Sequence, residues 1–435
     1  QDAVTGGVDG WTYLDRGRMW AITGKVAATR VHGSRQRMLE LQQSAQHYYQ
    51  RPDADFVSVD SGATSLGGWM TRVALNKQRG NWGLNSAIGA IHPGLDANDL
   101  GFQWRTDLIN GHVVGSYRWT EPGRVFRLAN VNTAYFQSRD FDGNRTWEGL
   151  WGSGYGQLRN YYDVEVWGAY NPQTVSTRAT RGGPRMQSPA GFEVGSYLST
   201  DNRKTVVLGL NVNTNQYRDG SQDSWSFYPS IEWKPASALS LRFAPGLEVG
   251  QSGAQYVTTV ADPLADATYD HRYIFADLDQ TTLSGSIRLN WTFSPRLSLE
   301  LYAQPLIASG DYRGYKELAR PNSYAFNHYG TGGSTITPVT DANGVVTDYT
   351  VDPDGPGAAT EFSVPNLDFN YSSLRGNAVL RWEYLPGSTL YLVWTQDRSA
   401  FGTDGDFHLG RSVERLFEAH GNHIFAVKLS YWWHP

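Results

Sequence analysis

The chain has no cysteine. That excludes a disulfide scaffold, a thiolate nucleophile and a cysteine-ligated zinc or iron–sulfur centre. Charge is also scarce, at 18 % of residues against about 25 % in an average soluble domain. With a net charge of −5 there is no basic excess for nucleic acid. No apolar run approaches the roughly 18 residues that a membrane helix requires. The mean hydropathy of −0.47 is that of a soluble chain. It is equally that of a transmembrane barrel, whose strands meet lipid with alternate residues only. Lysine is rare: of 37 basic residues, 6 are lysine and 31 arginine. Arginine's planar fork suits crowded polar interiors and bidentate carboxylate pairing. The start, Gln1-Asp2, has neither a charged nor an apolar leader region. A removed signal peptide or a longer preceding polypeptide is therefore expected.

What is abundant points to β structure. There are 47 glycines and 19 prolines, too many for a helix-rich enzyme, and 16 tryptophans, 25 tyrosines and 17 phenylalanines. The hydrophobic period is two, the mark of a strand with one apolar face. Leu239, Leu241, Phe243, Leu247 and Val249 alternate with Ser240, Arg242, Ala244 and Glu248. Leu283, Ile287, Leu289 and Trp291 alternate with Ser284, Arg288 and Asn290, and Leu297, Leu299 and Leu301 with Ser298, Glu300 and Tyr302.

Alternation alone also fits a soluble sandwich, and further features separate the two. Charged residues occupy mid-strand polar positions: Arg242, Glu248, Arg288, Glu300, Arg375, Arg381 and Glu383 are expected to face a lumen. Aromatics gather at strand ends, as in interfacial girdles: Trp233, Trp291, Trp382, Tyr384, Tyr431 and Trp433. Short turns such as Ser294-Pro295 and Pro386-Gly387 alternate with long segments such as 314–369 and 401–421. Outer-membrane barrels have short periplasmic turns and long extracellular loops. The last strand is aromatic and alternating, from Phe425 to Trp433.

The expected fold is all-β: a single transmembrane, antiparallel, up-and-down β-barrel over residues 1–435, with about 18 strands and 16 to 20 open. Strands are expected near 3–14, 18–32, 62–78, 80–92, 98–108, 110–121, 124–139, 145–158 and 159–172. The rest fall near 190–201, 204–217, 222–234, 238–260, 270–293, 296–313, 370–385, 387–400 and 422–434. With a periplasmic C-terminus, eighteen strands put the N-terminus there too. Loops 173–189, 217–222, 261–269, 314–369 and 401–421 then face outward. Residues 34–50 hold a stretch, Ser34 to Tyr49, that lacks glycine and proline and reads as a short periplasmic helix. Such a barrel is about 35 Å across, too wide for side chains to fill.

The 314–369 segment is the internal candidate for a lumen plug. It has a hairpin signature at Asn343-Gly344 and apolar anchors at Tyr315, Tyr324, Phe326, Tyr329 and Phe362. Asp352-Pro-Asp354-Gly355, with Asp348 nearby, resembles part of a calcium loop but lacks its remaining ligands, and reads as a turn. Gly152-Ser-Gly154-Tyr-Gly156 lacks the strand–helix unit of a phosphate loop and reads as a close-packed strand. His420-x-x-His423 reads as a plain histidine pair, and Asp404, Asp406 and His408 as a loop cluster. No catalytic residue, metal or cofactor is assigned.

Several stretches resemble a family of Gram-negative outer-membrane proteins in which a domain like the family 9 carbohydrate-binding modules precedes a large C-terminal domain of unknown function. The resembling segments are Tyr48-Tyr-Gln-Arg-Pro-Asp53, Asn98-Asp-Leu-Gly-Phe102, Phe293-Ser-Pro-Arg-Leu-Ser-Leu299, Ala378-Val-Leu-Arg-Trp-Glu-Tyr384 and Val427-Lys-Leu-Ser-Tyr431. The resemblance implies a barrel and an N-terminal module of a few hundred residues that this sequence does not show.

The expected function is a channel or gated transport of solutes, glycans among them, across the bacterial outer membrane. The expected surroundings are outer-membrane lipid and lipopolysaccharide, with a carbohydrate or protein as further partner, no nucleic acid, and a monomeric state. The alternative is a plugged barrel that anchors a partner or a preceding domain. A rim hydrolase built on Asp404, Asp406 and His408 is the third reading.

Overall fold

A computed structural model describes residues 2–99 and 101–433. Chain order begins β1 (Asp2–Tyr13), β2 (Trp20–His32), α1 (Arg35–Gln43), β3 (Ser65–Lys77), β4 (Trp82–Ile91), β5 (Leu108–Trp119) and β6 (Phe126–Arg139). It continues with β7 (Arg145–Leu158), β8 (Asp163–Asn171), β9 (Thr174–Ser176), β10 (Met186–Ser188), β11 (Gly191–Ser199), β12 (Val206–Tyr217) and β13 (Gln222–Ala236). Then come β14 (Leu239–Ala261), β15 (His271–Ser294), β16 (Leu297–Leu318), β17 (Phe326–His328), β18 (Thr335–Thr340), β19 (Val346–Asp352) and β20 (Phe362–Pro365). The chain closes with β21 (Phe369–Leu385), β22 (Ser388–Gly402), α2 (Leu409–Glu418) and β23 (Asn422–Ser430).

The expected fold class holds: one antiparallel sheet of 18 strands runs up and down in chain order as a barrel wall. β17 is a three-residue strand on β16, and the other seventeen form the wall. Among the described residues no pairing joins β1 to β23, and both run from the long-loop end to the short-turn end. No helix is long and apolar enough to cross a membrane.

The apolar period becomes a continuous outer face. Trp233 pairs with Leu241, Leu241 with Leu289 and Leu289 with Leu301, one apolar row across four strands. The next row on the opposite face is Glu232, Arg242, Arg288 and Tyr302. That polar face is the inner one, because connections fold onto it. On β2 it carries Lys25, Thr29 and Val31. The Asp96 N–H donates to Thr29 Oγ1 at 2.9 Å, and Val31 packs on Met38 of α1.

Four expectations need correction. Residues 98–99 and 101–107 are not a strand, and β5 begins only at Leu108. Asp96 Oδ1 accepts from the Asn98 N–H, Asn98 Oδ1 accepts from the Gln103 N–H, and the Gln103 amide returns to Leu95 O at 3.0 Å. These local side-chain bonds replace a ladder. Leu100, inside the expected 98–108 strand, and His434, inside the expected last strand, lie outside the described residues. Losing one strand reverses the direction of everything before it. The N-terminus, expected beside the C-terminus, therefore starts at the loop end, where Asp2 pairs with His32. For the same reason the helix expected on the side opposite 314–369 lies at the same end as that segment. It is also shorter than expected, Arg35–Gln43, with Ser34 Oγ capping the Arg37 N–H. Finally, residues 159–162 form a turn, and β8 begins only at Asp163.

Strand length is uneven. β14, β15 and β16 have 23, 24 and 22 residues, whereas β8 and β11 have 9 each. The long trio extends at the loop end, and two of the three apolar clusters sit on it. Ile274 and Ala276 pack with Tyr315, Tyr329, Val351 and Val364, while Tyr273 and Phe275 pack with Met186 and Leu318.

Candidate functional site

The inner face offers a chemically specific wall. One row runs Asn130, Tyr155, Glu165, Tyr197, Asn211 and Tyr228 across six neighbouring strands. Each residue reaches the inner side because its outer neighbours Val131, Gly154, Val166, Ser196, Val212 and Phe227 occupy the alternate positions. Beside this row lies a polar pocket of about 470 Å³, lined on the inner face by Asn215, Ser224, Ser226, Glu248, Gln280 and Thr282. Its lining combines hydroxyl, amide and carboxylate groups. The Asn215 amide donates to Ser224 Oγ at 3.2 Å, and the Tyr228 hydroxyl donates to Glu248.

The expected lumen residues share this face but do not converge on one point. Arg242 stands opposite Glu232 and Arg288. The Arg288 guanidinium lies 4.8 Å from the Tyr302 ring centroid. Glu300 stands opposite Asn290. Arg375 pairs with Asp397 at 3.5 Å, and Arg381 with Glu383 at 3.4 Å. Only Glu248 belongs to the pocket. The aromatics Trp233, Trp291, Trp382 and Tyr384 lie near the short-turn end, followed there by Tyr431 and Trp433.

At the loop end several connections form a cap. Its centre is Arg51, from the segment after α1. Asp53, Asp107, Asp140 and Asp142 approach the Arg51 guanidinium at 3.6, 3.5, 3.8 and 3.7 Å. The Arg51 and Asp53 side chains are at most 4 % exposed, and that of Asp140 is fully buried. Those distances exceed good hydrogen-bond lengths, and Arg51 Nε and Nη2 lack hydrogen-bond partners. Arg51 is held by charge from four sides. Arg185, from the β10 side, joins the cluster through Asp53 at 2.9 Å and through Asn144. The Asn322 N–H donates to Arg185 O at 2.8 Å, which ties in the 319–328 stretch. Burial, reinforced by Asp140, pushes the Asp107 carboxyl above its usual range, against the backbone N–H of Phe141 and the charge of Arg51. Burial and Asp107 push the Tyr49 hydroxyl up to about 12.

The 314–369 segment folds as expected around Asn343-Gly344. β18 pairs with β19, Gly344 has φ +79°, and Asp341 Oδ1 accepts from the Asn343 and Val345 N–H groups. β20 completes a three-stranded sheet. Asp352 Oδ1 accepts from the Gly355 N–H at 2.8 Å, a turn. In the 403–421 connection, Arg411 reaches Asp404 at 2.7 Å and Asp406 at 2.8 Å, and Arg415 reaches Asp404 at 2.8 Å. His408 caps α2, taking the Arg411 N–H at 3.3 Å. His423 stacks on Trp394 and takes its indole N–H at 3.2 Å. Among the described residues no group of three or more His, Asp or Glu is placed to hold a metal.

Sequence reasoning missed the cap. Arg51 and Asp53 were legible only as part of Tyr48-Tyr-Gln-Arg-Pro-Asp53. The local signal is an Arg and an Asp on either side of a proline, echoed by Asp140-Phe-Asp142. Helix α2 was missed too, although Leu409, Val413, Leu416 and Phe417 have helical spacing.

The wall and its polar inner face define a barrel of the outer-membrane class. The chain belongs to the family described as Domain of unknown function (DUF5916), which matches residues 30–434. No curated protein matches the chain. Among solved structures it is similar to the siderophore receptor PirA from Acinetobacter baumannii, at 8 % identity and a TM-score of 0.42, over 98 % of this chain and 71 % of that one. It is also similar to a mutant of the ferric enterobactin receptor PfeA from Pseudomonas aeruginosa, at 9 % identity and a TM-score of 0.38, over 98 % and 69 %.

Proposed function

We propose that this chain spans the bacterial outer membrane and passes polar solutes through a lumen gated by the loop-end cap. The carrying observation is the pairing of an apolar outer row, Trp233, Leu241, Leu289 and Leu301, with a charged inner row, Glu232, Arg242, Arg288 and Tyr302. Water inside and lipid outside satisfy both rows; a soluble sandwich would bury one and leave the other stranded. Arg–Glu neighbours stiffen the wall and also set which ions pass. Glycans suit the lumen: tyrosine rings offer flat apolar faces with a polar tip, and the pocket around Glu248 offers hydroxyl, amide and carboxylate partners. The lipid-facing aromatics Trp233, Trp291, Trp382, Tyr384, Tyr431 and Trp433 serve as the girdle of the short-turn end.

Single-channel recording in a planar bilayer tests this, with the intact chain and with the double variant Arg51→Ala with Arg185→Ala, which removes both cations that hold the cap together. The expected result is rare conductance in the first and steady steps in the second. Silence in both, with folding verified, refutes the transport reading and favours the anchoring of a partner or preceding domain.

A further inference from the structure

The outer face carries an apolar groove that opens beside a cluster of basic residues, most of them without a carboxylate partner. The groove measures about 570 Å³ and runs along the strands from the β5–β6 turn toward mid-wall. Trp119, Leu128, Val131 and Val166 form its walls, and Gly154 and Gly156 its floor. The floor is low because Gly154 carries no side chain, whereas the Phe126 ring lies over Gly156. A Cβ on Gly154 would meet nothing nearer than Val131 Cγ1 at 4.0 Å, so the space above it is open. A second apolar groove of about 580 Å³ lies on the far side of Trp119 and Val131, with Trp82, Gly115, Tyr117 and Thr133 in its lining. Two side-by-side channels thus share one ridge.

Cations collect where the first groove reaches the short-turn end. Arg124 lines it and is exposed. Arg159, exposed in the β7–β8 turn, donates its N–H to Val125 O at 3.0 Å and stands over Gly123 O at 3.5 Å. Tyr161 in the same turn is flanked by the guanidinium groups of Arg127 at 3.9 Å and Arg203 at 3.2 Å, and Lys204 is adjacent. Arg203 pairs with Asp201 at 2.7 Å. Among the described residues, Arg124, Arg127, Arg159 and Lys204 have no carboxylate within ion-pair distance. The acids nearby are Glu121 and Glu165 in the groove lining and Asp201 beside Arg203 and Lys204.

Resting on the membrane reading above, we propose that this site binds one anionic diacyl phospholipid. The two grooves take its acyl chains, and Arg124 and Arg159 take the phosphate at the short-turn end. The charge complementarity selects this occupant over a partner protein's apolar helix, which would bring nothing for the cations. Arginine's fork matches a phosphate bidentately, and basic pockets on a membrane-facing wall recognise anionic headgroups.

The test is native mass spectrometry of the folded barrel, released from nanodiscs of mixed phosphatidylglycerol and phosphatidylcholine. The variants are Gly154→Leu, which fills the floor, and the double change Arg124→Ala with Arg159→Ala. The wild type is expected to keep one phosphatidylglycerol. Gly154→Leu should lower its occupancy at least tenfold, and the double variant should abolish the preference for phosphatidylglycerol. Circular dichroism and heat-dependent gel mobility check that each variant is folded. A folded wild type that keeps no lipid, or a folded Gly154→Leu that keeps as much as the wild type, overturns the proposal. Failure of the wild type to insert into nanodiscs at all would instead overturn the membrane reading.

Discussion

Arg185 donates twice to one oxygen of Asp53: the backbone N–H reaches Asp53 Oδ2 at 2.6 Å and the side-chain Nε reaches it at 2.9 Å. The two residues belong to different connections, and their link fixes one to the other. Asp53 also faces Arg51 at 3.6 Å, so a single carboxylate serves two cations. Replacing Asp53 by alanine strands both charges. Breaking a buried pair by removing one partner costs about 3–5 kcal/mol. Hydrogen exchange should accelerate in residues 42–60 and 178–187 while the wall strands keep their protection. Unchanged exchange in those segments would show that the cap does not depend on this link.

His47 gives the cap a pH dependence. Its Nδ1–H donates to Pro93 O at 2.7 Å, and burial lowers its pKa below the usual 6.5, against the raising effects of Pro93 and Asp96. The sign follows from linkage: an opened cap binds the proton more readily than a closed one. Stability is full above the unfolded value and is lost as pH falls from 6.5 toward the lowered folded value. Protease cleavage within 42–60 should therefore be faster at pH 5 than at pH 8. His47→Gln should remove most of that difference; an equal pH response in the variant would point to another group.

Gly68 and Gly94 bring two backbones together. A Cβ on Gly68 would stand 2.2 Å from Leu95 N, and one on Gly94 would stand 2.3 Å from Gly67 O. Gly68→Ala must push the 92–107 connection off β3, an overpacking cost of about 1–3 kcal/mol. The expected readout is faster exchange at the Leu95 and Asp96 amides with little change in global melting.

Val351 and Val364 dock the three-stranded sheet onto Ile274 and Ala276, and both are fully buried. Truncating Val364 to alanine should loosen that sheet by about 1–2 kcal/mol. Limited proteolysis should then cut near 341–345 and 353–361 sooner than in the wild type. Cleavage rates equal to the wild type's would mean that the sheet holds to the wall elsewhere.

The wall was legible in the sequence because a period of two is a local property. Leu241, Phe243 and Leu247 announce their face without knowledge of their partners. The cap was not legible, because it is assembled from ion pairs between distant stretches: Arg51 meets Asp140 and Asp142 through the fold alone. The error at 98–108 has a similar origin. Asp96, Asn98 and Gln103 satisfy one another's backbone groups, and alternation does not register such bonds. That one segment then inverted the direction assigned to α1 and to the N-terminus.

The unequal strands shape how anything reaches the lumen. At roughly 3.3 Å per residue, β15 with 24 residues outreaches β8 with 9 by about 50 Å along the strand. The rim is therefore a slope, with a parapet on one flank and a low sill on the other. The 172–190 stretch climbs from the sill and fastens to the parapet at Tyr273 and Phe275. On the transport function proposed above, a solute approaching from the sill side meets that climbing arm first, and entry is a sideways event, decided by whether the arm is fastened, rather than a fall down the axis of a symmetric well.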